Sequence, residues 1–463
     1  MSLYLYSTIL MLLFYLGRSE SSINVGHRVS LAVPVEYING FNGRAFIMET
    51  DQMEPNFRAA LSIEAMNEKY SCSLEVFLGD VKVWNSGHYL QFYTNDICLL
   101  ELTKDGDLQL KGPKGKAGWW TGTSGQGVER LQILRTGNLV LLDALNRIKW
   151  QSFNFPTDVM LWGQRLDVAT RLTSFPSNSS TFYTFEIQHN RVALYVNSGD
   201  LNYSYWEFKP SKDRNITFAE LGSKGLLLFN EKHKKIAQIL SQISQPVRFL
   251  ALGNQTGNLG LYFYSPEMGR FEASFQALNR SCDLPLACKP YGICTFSNTC
   301  SCVRLLTKED QNHEDLSSGC NEGISGGFCV KTPMETLEML ELNGVSSILR
   351  DAPRRVNVSK EECSNSCLDD CECAAAMYSS ILQECFLYRM VVGVKQVERE
   401  SGLSYLVKVP KGSQGNHSKH NVKKWVLVLV GVVDGLIILL VLGGVAYYLI
   451  RKRKRSSPID NNT

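Results

Sequence analysis

From about residue 22 to residue 278 the chain alternates short apolar runs with Gly, Asn and Asp turns, and no stretch there sustains the period of an amphipathic helix. That pattern predicts a mainly β region. A unit recurs within it. Val83-Trp84-Asn85-Ser86-Gly87, Trp119-Trp120-Thr121-Gly122 and Lys149-Trp150-Gln151-Ser152 follow one another at spacings of 36 and 30 residues. Between them lie Asp105-Gly106-Asp107-Leu108-Gln109-Leu110 and Thr136-Gly137-Asn138-Leu139-Val140-Leu141. Each reads as a turn feeding an apolar strand, and three such units sharing one core predict a β-prism. Further on, Cys363, Cys367 and Cys371 recur at i, i+4 and i+8, one face of a helix that Ser359 and Glu362 would open as a capping box.

Two apolar runs stand apart from this pattern. Residues 3–16 are almost entirely apolar and are followed by Gly17, Ser19, Ser21 and Ser22, which predicts a secretory signal peptide over residues 1–22. Residues 425–450 carry one charge, Asp434, and as a helix would reach about 39 Å, enough to cross a hydrocarbon core with tilt. The basic cluster Arg451 to Arg455 then fixes a cytoplasmic tail, 451–463, too short for a folded domain, after a linker at 411–424. The expectation is a single-pass type I protein of the plasma membrane, N-terminus outside. Gly431 and Gly435 form a G-x-x-x-G face beside Asp434, so homodimerisation through this helix, or lateral pairing with a receptor that carries a signalling domain, is expected.

Charge adds an exclusion. The chain has 48 Lys plus Arg against 45 Asp plus Glu, but its basic excess sits beside the second apolar run, and residues 20–422 balance at about −3. No basic face remains to neutralise phosphates, which excludes nucleic acid as a partner. At 44% apolar it is no disordered or collagen-like chain. There is no HExxH, P-loop or kinase motif, and Gly323 to Gly327, which matches G-x-S-x-G around Ser325, lies between cysteine-rich segments where a hydrolase elbow has no strand or helix to stand on. The reading is a non-enzyme, without catalytic or metal residues and without a cofactor.

The 14 cysteines fall in three sets. Cys72 and Cys98 stand alone and could bridge two strands, closing a loop worth roughly 3 kcal/mol. Cys282, Cys288, Cys294, Cys300, Cys302 and Cys320 permit about 15 pairings, with a zinc site as a weaker alternative. Cys329, Cys363, Cys367, Cys371, Cys373 and Cys385 form the third set. The second set, with Tyr291-Gly292 inside it, resembles an EGF-like module (residues 279–321), which implies Cys282 with Cys294, Cys288 with Cys300 and Cys302 with Cys320. Glu362-Cys363, Cys367-Leu368, Asp370-Cys371-Glu372-Cys373-Ala374 and Cys385-Phe386-Leu387-Tyr388 resemble a plant PAN/apple domain (329–410). That likeness implies Cys363 with Cys385 and Cys367 with Cys373, leaving Cys329 for Cys371.

Trp150-Gln151-Ser152-Phe153-Asn154-Phe155-Pro156-Thr157-Asp158, with Gly163-Gln164, resembles the bulb-type mannose-binding lectin domain of plant S-locus receptor kinases, here over 26–165, departing from W-Q-S-F-D-x-P-T-D at Asn154. Thr181 to Phe185, Tyr203-Ser204-Tyr205-Trp206 and Gly257 to Tyr262 resemble the S-locus glycoprotein region (170–278), which implies a second lectin-like β-domain. The order is that of an S-domain receptor-like kinase ectodomain without the kinase, as in the plant class of PAN domain-containing membrane proteins.

The family's sugar sites use Q-x-D-x-N-x-V-x-Y, whose amide and carboxylate groups match adjacent mannose hydroxyls. Here both candidates are degenerate. Along Thr103 to Lys111 only Asp105 keeps its type; along Leu134 to Leu142 only Asn138 and Val140 do. A hydroxyl left without its partner costs about 1 to 3 kcal/mol, so mannose binding at these strands is expected to be lost. Sequons at Asn178, Asn202, Asn215, Asn254, Asn279, Asn357 and Asn416 all follow residue 177, which predicts glycans over the second β-domain and a bare first one. The resulting reading is a cell-surface glycoprotein that binds a glycan or protein ligand outside the cell and works with a receptor-like kinase. A functional mannose lectin and a cell-wall adhesion protein are the alternatives.

Overall fold

The computed structural model describes residues 22–175, 181–211, 215–304, 320, 328–329, 337–398, 402–411, 414–415, 439–440, 442–449 and 451. Residues 22–157 form three antiparallel sheets, two of four strands and one of five. One joins Ser22–Asn24, Val128–Ile133, Leu139–Asp143 and Ile148–Gln151; the second joins Arg28–Ala32, Ile97–Leu102, Leu108–Lys111 and Ala117–Trp120. The third joins Asn42–Glu49, Phe57–Met66, Lys69–Leu78 and Val81–Asn85, with Tyr93–Thr94 added beside Lys69–Leu78. Their alternating apolar residues meet in one core, with Leu61, Leu74, Leu108, Leu110, Leu131 and Leu139 fully buried. This is the β-prism the repeat predicts.

Its turns need glycine. Gly106 and Gly137 adopt φ of 89° and 81°, and a Cβ on Gly137 would sit 2.4 Å from the Phe57 ring. On the axis, the rings of Trp84, Trp119 and Trp150 lie 5.9–6.4 Å apart, tilted edge to face, one from each sheet. The repeat spacing of 36 and 30 points to Trp120 as the middle member. Trp119 holds the place instead, and Trp120 is 60% exposed. The cause is a register shift between Ala117 and Trp119, which moves the inward face by one residue.

A second prism follows, of three four-stranded sheets, built on Val159–Leu161 with Val247–Leu252, Leu259–Ser265 and Arg270–Gln276; Arg165–Asp167 with Phe218–Gly222, Gly225–Phe229 and Lys235–Leu240; and Arg171–Thr173 with Thr181–Ile187, Val192–Ser198 and Leu201–Phe208. The boundary therefore differs from 165. Val159–Leu161 lies within the expected first domain and Arg165–Asp167 starts at its last residue, yet each pairs with strands of the second prism, where Met160 and Leu166 join the core, while Val159 and Leu161 pack into the core of the first.

Further along the chain, Gly292–Cys294 and Cys300–Arg304 form a hairpin within the second cysteine set, and Leu337–Asn343, Leu403–Pro410, Ala375–Ser379, Glu384–Tyr388 and Arg354–Val356 form the PAN sheet. These two modules share a ladder. Val394–Gln396 from the PAN stretch runs parallel to Gly292–Cys294, with Ile293 opposite Val394. The helix Lys360–Asp369 opens with the capping box: the Glu362 amide donates to Ser359 Oγ at 3.2 Å, and the Ser359 amide donates to Glu362 Oε2 at 2.7 Å. It ends before Cys371, so only Cys363 and Cys367 use its buried face.

Seven disulfides are formed: Cys72–Cys98, Cys282–Cys294, Cys288–Cys300, Cys302–Cys320, Cys329–Cys371, Cys363–Cys385 and Cys367–Cys373. Their Cα–Cα distances of 4.8–5.7 Å suit unforced bridges. The expected signal peptide, apart from Ser22, lies outside the described residues, as do Ser325, Asn178, Asn416, Gly431, Asp434 and Gly435. Ser22 already pairs with Gln132. Within 425–450 the described residues 439–440 and 442–449 are helical. Among the described residues no helix is long and apolar enough to cross a membrane.

Candidate functional site

The three sheets of the first prism are related residue by residue through a hydroxyl two positions after each axial indole. Ser86 Oγ, Thr121 Oγ1 and Ser152 Oγ accept from the amides of Leu74, Leu108 and Leu139 at 2.9, 3.1 and 3.0 Å. Ser73, Asp107 and Asn138 therefore occupy one equivalent position, and Glu75, Gln109 and Val140 another. What each sheet does with these positions can be compared directly.

On the first sheet Asn138 is 5% exposed, and its amide is consumed internally. Nδ2 donates to Gln151 Oε1 at 2.8 Å, while Oδ1 accepts from Ser152 Oγ and the Phe153 amide, both at 3.2 Å. Val140 is fully buried. Neither side chain faces a ligand.

On the second sheet Asp107 accepts from Gln109 Nε2 at 2.8 Å, Thr121 Oγ1 at 2.8 Å and the Thr123 amide at 3.1 Å. Desolvation works to raise its pKa, but those donors outweigh it and hold the carboxyl below the usual aspartate value. Lys111 Nζ is tied to Glu101 at 2.7 Å. Asp105 is exposed and bonded to Ser124 Oγ, which lowers its pKa. It serves a turn.

The third sheet differs in kind. Glu75, at the position Val140 holds elsewhere, is fully buried, and Lys82 Nζ reaches both Glu75 Oε1 at 2.6 Å and Glu64 Oε1 at 2.7 Å. Ser73 Oγ and Asn85 Nδ2 donate to the same Glu75 oxygen at 3.2 and 3.3 Å. Burial pushes the Glu75 carboxyl up against the pull of Lys82. Burial also opposes the Lys82 charge, but the two carboxylates outweigh it and raise the lysine above its ordinary value.

Next to this face, where the first prism meets the second, is a cleft of about 290 Å³. Glu64, Ser71, Ser73, Lys82, Asn85 and Gln91 line one side, His88 and Phe92 run along it, and Asp158, Phe175 and Asn254 close the other. The crossing chain is pinned around it. His88 is 4% exposed and donates through Nε2 to the Thr173 carbonyl at 2.8 Å, Tyr89 OH donates to the Pro156 carbonyl at 2.6 Å, and Trp84 Nε1 donates to the Phe155 carbonyl at 2.9 Å. Desolvation holds His88 neutral by lowering its pKa, with Asp158 pulling the other way. Among the described residues the half-buried Asp158 carboxylate makes no hydrogen bond. A polar cleft with aromatic walls and an unused acceptor suits a polyhydroxylated ligand.

Sequence reasoning passed over this site. The one available signal was Glu75, a charged residue inside the apolar run Leu74 to Leu78. Asp158, Phe175 and Asn254 reach the cleft only through tertiary contact. Of the sequon residues, Asn202, Asn215, Asn254, Asn279 and Asn357 are exposed. Asn254 does not simply cover the second prism, since it borders the face of the first.

Residues 82–180 match the D-mannose binding lectin family and residues 341–408 the PAN domain family. The chain thus carries a bulb-type lectin domain and a PAN domain on a mainly β, disulfide-bonded framework. It is 24% identical over 359 residues to the G-type lectin S-receptor-like serine/threonine-protein kinase SD2-5 of Arabidopsis thaliana, covering 74% of this chain and 43% of that protein. Against a PAN domain-containing protein of Arabidopsis thaliana it is 23% identical over 374 residues, covering 77% of this chain and 73% of the relative. A monocot mannose-binding lectin structure from Gastrodia elata aligns with 22% identity over 29% of this chain and 96% of that one, with a TM-score of 0.19. The chain spans less than half the length of the receptor kinase.

Proposed function

We propose that this chain is a non-catalytic, receptor-like glycoprotein of the plasma membrane that binds a carbohydrate ligand outside the cell, in the cleft between its two prisms, and acts with a partner receptor kinase. The observation that carries the reading is the cleft itself: about 290 Å³, with Lys82, Asn85 and Gln91 on one prism face and the unbonded Asp158 carboxylate opposite. The likeness of residues 82–180 to mannose-binding lectins supports the ligand class. The receptor kinases among its relatives support the setting.

Within this reading the two degenerate strands contribute no contact, because Asn138, Val140 and Asp107 are spent on the fold. Sugar recognition falls to the third sheet. A glycan array with residues 23–420 tests it, beside Asp158→Ala and Asn138→Ala. Binding to mannose-type glycans that Asp158→Ala removes is expected; binding that survives it and disappears with Asn138→Ala would return the site to the first sheet. A blank array would reassign the chain to a protein ligand.

A further inference from the structure

The cleft sits beside one of the chain's own sequons. Asn254-Gln255-Thr256 lies on the turn joining Val247–Leu252 to Leu259–Ser265, and Asn254 borders the cleft while Asn202, Asn215, Asn279 and Asn357 do not. Its Oδ1 accepts from the Phe175 amide at 2.8 Å. That bond fixes the side-chain amide. Nδ2, the atom an N-glycan is joined to, makes no hydrogen bond among the described residues.

We propose that the cleft is occupied by the N-glycan carried on Asn254 of the same chain, which joins the two prisms and must be removed or displaced before a free glycan can bind. This rests on the reading of the cleft as a carbohydrate site. In the modification, Nδ2 displaces a lipid-linked diphosphate from the oligosaccharide donor, forming an N-glycosidic bond and giving up one amide proton. The first sugars are then held at the cleft mouth. A volume of about 290 Å³ takes a short stretch of glycan rather than a long branch. Asp158 offers an unused acceptor to its hydroxyls, Gln91 and Asn85 have only the amide hydrogens left over from their bonds to Met66 and Glu75, and His88 and Phe175, whose rings lie 5.6 Å apart, wall it.

Tethering supplies the energetic reason. A ligand anchored at the rim is present at an effective concentration on the order of millimolar, enough to fill a weak sugar site without any free ligand. The same arithmetic makes it a competitor. A free oligosaccharide of similar intrinsic affinity would bind about tenfold more weakly while the tethered one is in place.

The test uses the full chain from a eukaryotic secretory host, treated with an endoglycosidase in the native and in the denatured state and read site by site by glycopeptide mass spectrometry. We expect the Asn254 glycan to be released at least about tenfold more slowly than that on Asn202 in the native protein, and equally fast after denaturation. Asp158→Ala should abolish that protection. Thr256→Val removes the sequon, leaves the Asn254 amide and its bond to Phe175 in place, and should raise the apparent affinity for mannose-type oligosaccharides about tenfold. An unmodified Asn254, or one trimmed as fast as Asn202, overturns the proposal. If protection is absent while oligosaccharide still binds and Asp158→Ala removes it, the tethered occupant is wrong and the carbohydrate site stands. If protection is absent and Thr256→Val binds no oligosaccharide, both fall.

Discussion

The first prism closes around three indoles and the Cys72–Cys98 bridge, whereas the second, also of three sheets, has no cysteine of its own and shares its core with the modules beyond it. Tyr203 of the second prism accepts from the Arg389 amide at 3.0 Å and stands 6.0 Å from the Tyr388 ring, which in turn lies 6.2 Å from Tyr405. Arg191 bridges the same joint, with Nη1 on Glu207 and Nη2 on Asp351, each at 2.8 Å, while Ser204 Oγ donates to Asp351 at 2.7 Å. One architecture is thus stabilised in two ways. The first prism, whose buried core takes in only Val159, Leu161 and Phe249 from the second, is expected to unfold more nearly alone, and the second, whose core runs into the modules beyond it, to unfold with its neighbours.

The largest expected effect breaks the first side of that contrast. Trp150→Ala should destabilise the first prism by about 3 to 5 kcal/mol, as buried large-to-small changes do. Calorimetry should then show an early transition for that prism and an unmoved one for the rest; a single shifted transition would mean the prisms are not independent.

Arg191→Ala attacks the other side. It leaves Glu207 and Asp351 short of a partner and should cost about 2 kcal/mol in the second prism and PAN module together. Proteolysis at the joint should rise with it. Should cleavage stay at the wild-type rate, the shared core alone would couple the modules.

A smaller effect falls at the seam between the prisms. Burial holds the His88 imidazole below its ordinary 6.5, against the opposing charge of Asp158. The unfolded chain takes up a proton on this residue near 6.5, and the folded chain only at lower pH. The stability it contributes is therefore complete above 6.5 and is lost as the pH falls through the depressed value. Melting temperatures measured from about pH 7 to 5 should decline, and His88→Gln should flatten that slope; parallel slopes would show that His88 does not titrate differently on folding.

Asp105→Ala should do least. Its carboxylate is exposed and bonded to Ser124 and Thr103, so neither melting nor glycan binding should change. Loss of binding would restore the second sheet as a sugar site.

How much of this could be read beforehand differs by residue. The repeat around Trp84, Trp119-Trp120 and Trp150 announced a prism, because turn chemistry and strand alternation are local. The same local logic placed the cap of Ser359 and Glu362. Trp119 rather than Trp120 went inward because of a one-residue register shift, which no periodicity displays. Val159–Leu161 joins both prisms, pairing with a strand of the second while Val159 and Leu161 fill the core of the first, because an apolar strand declares that it is buried, not beside which partner.

The sugar-site strands taught something similar. Their degeneracy was visible as missing residue types, but the fate of Asn138 was not. It donates to Gln151 and accepts from Ser152 and Phe153, on a neighbouring strand and the turn that follows it.

By itself, then, the sequence determined what depends on near neighbours, namely strand and turn alternation, the caps, the cysteine sets and the sequons, and its family resemblance implied the cysteine pairing that the bridges follow. Only the tertiary structure decided which indole reaches the axis, and that Glu64, Lys82, Asp158 and Asn254 face one cleft. The physical reason is range. Backbone propensity and hydrogen-bonded turns act over a few residues, while a disulfide, a shared core or a cleft requires Cα atoms far apart in sequence to be brought within a few ångströms by the packing of whole sheets.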